Sequence, residues 1–464
     1  MPEIVVVGAG PAGLVAALLL AADGHRVTVL DADRNGPGDI HRAWELWERP
    51  GVSQFRLPHQ LVAAGWRILR DELPEVVAEL DRAGAVVCNS IAGSWQVRAL
   101  GGAREGDQRF ETIAARRPVL EAALALVAGR ASGVTVRRGA GVAGPLVDNT
   151  SGSGRLRVRG VKTGEGELVR ADLVVDATGP RGRIVSMLGA AEERTRGGFA
   201  YYSRHFAGPM PAQPIWPLEH HGSLSALVLP GDVGTWSVTF AVSAEDVELR
   251  GLRDADAWQR VASLFPAVEQ WAGGIPISDV LRTSAAEGGR RRLVVGGRPV
   301  AHGLLNVGDA WAVTNPMFGL GMSMAFAHAI VLRDAVRAEG LDDLDKLALR
   351  FDDMSEGALA PVYERLGRWE RHRLAELDGE RRGRPYEGGD AEWALSKVLD
   401  AAKLVDGDVL RGVADVAHLL TTPEEAITAA GLDGKAIALA KDAPRFVAGG
   451  PSRVRLLAAI QRAP

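Results

Sequence analysis

Apolar positions form an uninterrupted run at Ile4-Val5-Val6-Val7, continue past a glycine turn from Ala12 to Ala22, and resume at Val27-Thr28-Val29-Leu30. A short continuous apolar run is the signature of a strand buried on both faces, and the longer run reads as a buried helix. Strand, helix and strand in that order give a βαβ unit, and so a parallel sheet with a right-handed crossover. Residues 32–60 break the pattern with polar, Gly and Pro positions and read as a long loop, a kind that is usually functional or mobile inside a compact domain. Helical spacing returns over 60–83 and over 113–130, with Pro118 placed near the first turn of the latter. Val134–Arg138, Leu156–Val161 and Asp172–Asp176 read as strands, with turns at 148–155 and 162–166.

From about 197 to 243 the apolar positions alternate and turn aromatic, at Phe199–Phe206, Leu224–Leu229 and Thr235–Val242. Period two predicts an antiparallel sheet inserted into the first unit. On one of its strands Tyr201, Ser203 and His205 share a face and Tyr202, Arg204 and Phe206 share the other. The pattern leaves open which face is core. Buried strands return at 293–308, and a long apolar helix is expected over 319–337. Residues 341–378 are charged and helical, Gly379–Asp390 is a Gly-rich linker, and short helices follow, with starts at Thr422-Pro423-Glu424 and Pro451-Ser452. This last region is either a helical cap or a dimerisation element.

The 464 residues carry 54 basic and 58 acidic side chains, a net charge of −4. That balance argues against nucleic acid as a partner, since phosphate contacts need a surplus of Lys and Arg. The single cysteine, Cys88, excludes an intrachain disulfide and a Cys-rich zinc site, and no metal site is expected. The run from Ala12 to Ala22 is too short to span a bilayer, and Met1-Pro2-Glu3 is acidic, unlike a signal peptide. A cytoplasmic protein without a membrane span is expected.

Two motifs carry the chemistry. Gly8-Ala9-Gly10-Pro11-Ala12-Gly13 lies between the first strand and helix. Gly8 permits a tight turn, Gly10 lets the backbone approach a pyrophosphate, and Gly13 permits close helix–strand packing. The helix start presents free N–H groups and a positive dipole end to phosphates. Asp31 ends the second strand, 23 residues after Gly8, where a carboxylate would bind a ribose hydroxyl. Dinucleotide binding follows from the combination of strand, turn, helix, strand and acid. The second motif is Leu305-Asn306-Val307-Gly308-Asp309-Ala310-Trp311, followed by Asn315-Pro316-Met317-Phe318-Gly319-Leu320-Gly321 opening a helix.

The pair of motifs resembles the class A flavoprotein monooxygenases, the para-hydroxybenzoate hydroxylase superfamily. The resemblance covers residues 1 to about 345. It implies that Gly308 and Asp309 hold the ribitol chain of FAD, and that Pro316, Gly319 and Gly321 lie beside its isoalloxazine ring. A helix start aimed at that ring would stabilise the charge of its reduced form. Arg49, in Arg49-Pro50-Gly51-Val52, is similar to a residue contacting the FAD pyrophosphate, and Arg117 to another FAD-facing polar residue. The segment Val52–Gln60 resembles bacterial secondary-metabolism FAD oxygenases such as polyether-type epoxidases, which brings His59 and Gln54 towards the flavin or its ligand. A structural, hydrogen-bonding role for His59 is the other reading. Tyr202 and Arg204 are further candidates, on the sheet expected to roof the substrate site.

The resemblance implies a Rossmann-like FAD-binding domain in two parts, 1–190 and 285–345. These are interleaved with an antiparallel substrate domain, 191–284, and followed by a helical region, 346–464. It also implies an FAD-dependent monooxygenase placing one oxygen atom from O2 on an apolar small molecule through a flavin C4a-hydroperoxide, by epoxidation or hydroxylation. The alternative is an FAD-dependent dehydrogenase or reductase. Asp176-Ala177-Thr178-Gly179-Pro180-Arg181 departs from the family's usual Asp-Gly stretch, and no second GxGxxG is present. The electron source is therefore open between NADH or NADPH acting directly and a separate flavin reductase. Tryptophan-type halogenases need a Lys well before the inserted sheet, and none precedes Lys162. A homodimer is common among relatives.

Overall fold

The computed structural model describes residues 1–149, 156–195, 197–214, 216–284, 288–446 and 449–461. Its first layer is a five-stranded parallel sheet of β1 (Glu3–Val7), β2 (Arg26–Asp31), β3 (Val134–Arg138), β4 (Leu173–Asp176) and β5 (Leu304–Asn306). The order is β5-β4-β1-β2-β3, and every neighbouring pair is parallel. The chain leaves β1 to one side for β2 and returns on the other for β4. This creates a crevice at the carboxyl end of β1, the place where open α/β sheets bind ligands.

Helix α1 (Pro11–Ala22) is apolar all round because it is covered all round. It packs between the sheet, α2 (Arg117–Ala128) and α3 (Gly321–Glu339), with Leu14, Val15, Leu19 and Leu20 all buried. Each such side chain contributes about 1.5–3 kcal/mol. Helix α2 begins at Arg117, later than the expected 113. Ile113 and Ala114 instead belong to a strand, Glu111–Ala114, paired with Val86–Asn89. Pro118 explains the shift. It lacks an N–H and is tolerated only in the first turn, whereas a start at 113 would put it in the second. Of the turn expected at 148–155, Asp148 and Asn149 end a strand, Val142–Asn149, and the remainder lies outside the described residues. Lys162 and Thr163 also extend a strand, Leu156–Thr163, leaving the turn to 164–166. The loop at 32–60 holds only short helical turns at Ile40–Arg42 and Ala43–Leu46.

The second layer is an antiparallel sheet built around Phe199–Ala207, Ser225–Pro230 and Thr235–Ser243, edged by Leu218–His220 on one side and by Ile275–Pro276 and Leu281–Ser284 on the other. One face packs Tyr202, Phe206, Trp236 and Phe240 against Trp258, Phe265 and Trp271. The other face looks towards the parallel sheet. Helix α4 (Ala360–Arg381) packs on this same face of the second layer. Its Leu377 and partly buried Trp369 and Leu374 join Tyr201, Leu218 and Met317 in one cluster. Arg373 is fully buried there, donating from Nη2 to the carbonyls of His221 and Leu224. The carboxyl-terminal helices thus pack on the antiparallel layer, and Arg453 in the last of them pairs with Asp246 and Glu248. No helix of the described residues is long and apolar enough to cross a membrane.

Candidate active site

A single cavity of about 500 Å³ begins at the turn after β1, passes the ends of β2 and β5, and reaches the antiparallel sheet. Its first end is shaped by three glycines. Gly8 has φ +111°, and a Cβ there would meet the Ala177 carbonyl oxygen at 2.4 Å. A Cβ on Gly13 would lie 2.0 Å from the Gly8 carbonyl oxygen, whereas one on Gly10 would meet nothing within 4 Å. The first two spaces are filled by the protein's own backbone. The third is open, at the start of α1, where unpaired N–H groups and the helix dipole favour an anion. Pro11 and Ala12 line the same opening.

Asp31 ends β2 beside it. Its Oδ2 accepts the Ala9 N–H and Arg49 Nη2, each at 2.7 Å, and its Oδ1 accepts the Asp33 N–H. Arg49 is buried, with Nε on Asp33 and Nη1 on both Glu121 and the Ala9 carbonyl. Burial opposes its charge, but Glu121 and Asp31 more than offset that and hold the guanidinium ionised. Every nitrogen of Arg49 is thus engaged by the protein, and its place in the cavity wall is that of a buckle joining the glycine turn to Asp31.

Glu121 was not expected as part of the site. It is fully buried one turn into α2 and also accepts from Arg117 Nε. Burial raises its pKa, but Arg117 and Arg49 outweigh this and keep it ionised. Its i,i+4 spacing from Arg117 on an apolar helix was the available signal. Arg117 donates from Nη1 to His59 Nε2 at 2.9 Å, and His59 Nδ1 bonds the Leu57 carbonyl at 2.8 Å. The proton therefore sits on Nδ1 and Nε2 accepts. Burial, reinforced by the Arg117 charge, pushes the His59 pKa down to about 3. His59 is a neutral hydrogen-bonding residue in the cavity wall, with Gln54 beside it.

Asp309 enters from the opposite side, after β5. Gly308 has φ +61° and approaches Ala12 closely, so the turn brings Asp309 over the start of α1. The Gly308 N–H donates to His328 Nδ1, and His328 Nε2 donates to Ser355. Burial raises the Asp309 carboxyl to about 6, against the opposing charges of Arg117 and Arg291. Pro316, Gly319 and Gly321 follow in the wall, where Asn315 caps the Pro316–Phe318 turn and Gly319, at φ +65°, lies against Gln60. Helix α3 opens there with its positive end towards the cavity.

At the far end Tyr201 and Ser203 face the cavity, and the Tyr201 hydroxyl donates to Asn315 Oδ1. Tyr202 and Arg204, expected near substrate, lie on the opposite face. Tyr202 is buried in the second core, and Arg204 bonds Gln259 over Phe206 and Trp258. Alternation separates them from the cavity by the thickness of the sheet. His205 shares the cavity-side face but is covered by the 40–60 loop, packed on Trp44 and bonded to the Arg56 carbonyl. Asp176 is spent on its own turn, accepting from Thr178 and Val185. Thr178, Gly179 and Arg181 line the cavity.

Residues 3–123, which build this first end, match the family of FAD dependent oxidoreductases. The chain is also 29% identical over 395 residues to Protein Rv3254 of Mycobacterium tuberculosis, covering 77% of this chain and 78% of that protein. Its fold is similar to that of PqsL, a probable FAD-dependent monooxygenase from Pseudomonas aeruginosa, with a TM-score of 0.61 at 19% identity over 82% of this chain and 98% of PqsL. The flavin-dependent brominase Bmp2 is similar at a TM-score of 0.58 and 17% identity, over 94% and 98% of the two chains. The fold is that of the FAD-dependent monooxygenases and flavin halogenases. The glycine cradle, the open space at Gly10 and the cavity-facing Asp309 fit an FAD. Asp31 and Asp309 would hold its ribose and ribitol hydroxyls, and the α1 start its pyrophosphate.

Proposed function

We propose that this protein is an FAD-dependent monooxygenase that places one oxygen atom from O2 on an apolar small molecule. The observation carrying the reading is the single chamber. It runs from the glycine turn to the antiparallel sheet, so cofactor and substrate would share one space. Bound FAD supplies the activation of O2. The chain's residues bind and orient it at Gly10, Asp31 and Asp309, present the α3 start to it at Pro316–Gly321, and exclude water with the sheet and α4. His59 stays neutral and keeps Arg117 in place. Among the described residues no side chain on the sheet wall of the cavity is a free base; hydroxylation of an activated ring would want one, and epoxidation would not.

The halogenase likeness is one of fold. The missing Lys before Lys162 supports oxygenation over halogen transfer. The test is a single-turnover reaction of the FAD-loaded protein under isotopically labelled O2, with NADH, NADPH or a flavin reductase as electron source. Label in the organic product is the expected result. Oxidised product without label would establish the dehydrogenase reading instead.

A further inference from the structure

The wall of the chamber opposite the cofactor end is written in two registered rows across the antiparallel sheet. Ser225, Ala241, Tyr201 and Thr283 lie side by side in one, and Leu218, Leu227, Thr239 and Ser203 in the next. All eight line the cavity, and none carries a charge. The charged groups of the cavity are Asp31, Asp33, Arg49, Arg117, Arg181 and Asp309, and all belong to the cofactor-side elements. A carboxylate lying on the sheet would lose its hydration and gain no cation there.

The hydroxyls of this wall are not equivalent. Tyr201 donates to Asn315, Thr283 donates to the Ser284 carbonyl at 3.2 Å, and Ser225 bonds His220 Nδ1 at 2.8 Å. Among the described residues, the Ser203 and Thr239 hydroxyls bond only each other, at 2.9 Å, and both residues are buried. Two hydroxyls carry two protons, and one lies between them. The other proton has no protein acceptor among the described residues, and both side chains belong to residues that line the cavity. Leu218, Leu227, Ala241 and Met317 make the surroundings apolar.

We propose that the substrate is an uncharged, largely apolar molecule bearing a carbonyl or hydroxyl oxygen, and that the Ser203–Thr239 pair anchors that oxygen. This rests on the reading of the chamber as holding FAD and substrate together. Anchoring here would fix which carbon of the substrate faces the cofactor, so the pair sets specificity by position.

The test is equilibrium dialysis of the full-length protein at pH 7.5 against 2-naphthol, naphthalene and 2-naphthoate. FAD content is read from the flavin absorbance of the same sample. 2-Naphthol is expected to bind about three- to tenfold more tightly than naphthalene, the worth of one neutral hydrogen bond. 2-Naphthoate is expected to bind at least about tenfold more weakly than 2-naphthol. Ser203→Ala with Thr239→Val should bring 2-naphthol down to naphthalene and leave naphthalene unchanged, while Ser203→Thr should keep the difference. The single variants give the same reading if the double variant does not fold. Equal or tighter binding of 2-naphthoate, an equal loss for both neutral probes in the variants, or no retention of 2-naphthol would overturn the proposal. Failure to hold FAD would overturn the monooxygenase reading separately, because dialysis reports probe binding with or without the cofactor.

Discussion

Three glycines in one turn differ in what surrounds their missing side chains, and the difference is testable. A Cβ at Gly8 or Gly13 collides with backbone, whereas one at Gly10 projects into open space. Gly8→Ala and Gly13→Ala are expected to lower the unfolding midpoint sharply. Gly10→Ala should leave the thermal midpoint of the cofactor-free protein within a degree or so while weakening FAD binding by about tenfold or more, since the methyl takes pyrophosphate space. Calorimetry and an FAD titration on the same three variants decide it, and a Gly10→Ala protein that binds FAD normally would contradict the placement. Asp309 gives a second prediction at this scale. Its folded pKa, about 6, lies above the ordinary 3.8, so its proton stabilises the cofactor-free fold. That contribution is complete below about pH 4 and is lost as pH rises through 6. Asp309→Asn cannot ionise, so its melting temperature should gain on the parent protein between pH 5 and pH 8. A difference that stays flat with pH would rule this out. Most of these residues were legible because Gly, Asp and Arg types recur at meaningful spacings. Glu121 was missed because it offers its signal only through partners 72 and 4 residues away in sequence.

Among elements, a buried ion pair fastens the antiparallel sheet to α2. Arg116, which caps α2, donates its backbone N–H at 2.7 Å and its guanidinium at 2.6 Å to Asp232, in the hairpin turn of the antiparallel sheet. The Asp232 side chain is 1% exposed and that of Arg116 10%. Asp232→Ala leaves the guanidinium buried without its partner and should cost about 3–5 kcal/mol in denaturant unfolding. A loss below about 1 kcal/mol would show that the joint is held otherwise. The elements themselves were readable where burial is uniform, as in β1, α1 and β2, because a covered segment can be apolar at every position. They were less readable at 113–117. There an apolar strand runs into an apolar helix across Ala115 and Arg116, and the steric demands of Pro118 mark the boundary.

Across the whole molecule, histidine burial sets the acid limit. His59 and His328 are pushed down to about 3, and His205 and His418 to about 4, by burial first in each case. A histidine whose folded pKa lies below its unfolded 6.5 stabilises the fold above that pH, and the contribution is lost as pH falls towards the folded value. The urea midpoint of the cofactor-free protein should therefore fall steadily from pH 6.5 to pH 4, with more than one proton taken up on unfolding. His328→Gln should remove about one proton from that slope while also loosening Gly308. An unchanged slope would mean that His328 does not titrate across this window.

The order of hydrophobic runs, the glycine turn after β1 and the alternation beyond residue 197 were sufficient by themselves to specify the parallel sheet and the antiparallel sheet. These rest on local geometry, in which residue type dictates what the backbone can do. Which face of the inserted sheet meets the cavity was decided only by tertiary packing. Tyr201 and Tyr202 are adjacent and chemically alike, and a strand's period of two places them on opposite sides without saying which side is core. The choice was made by Trp258, Phe265 and Trp271, distant in sequence, covering Tyr202 and leaving Tyr201, Ser203 and Thr239 to the chamber.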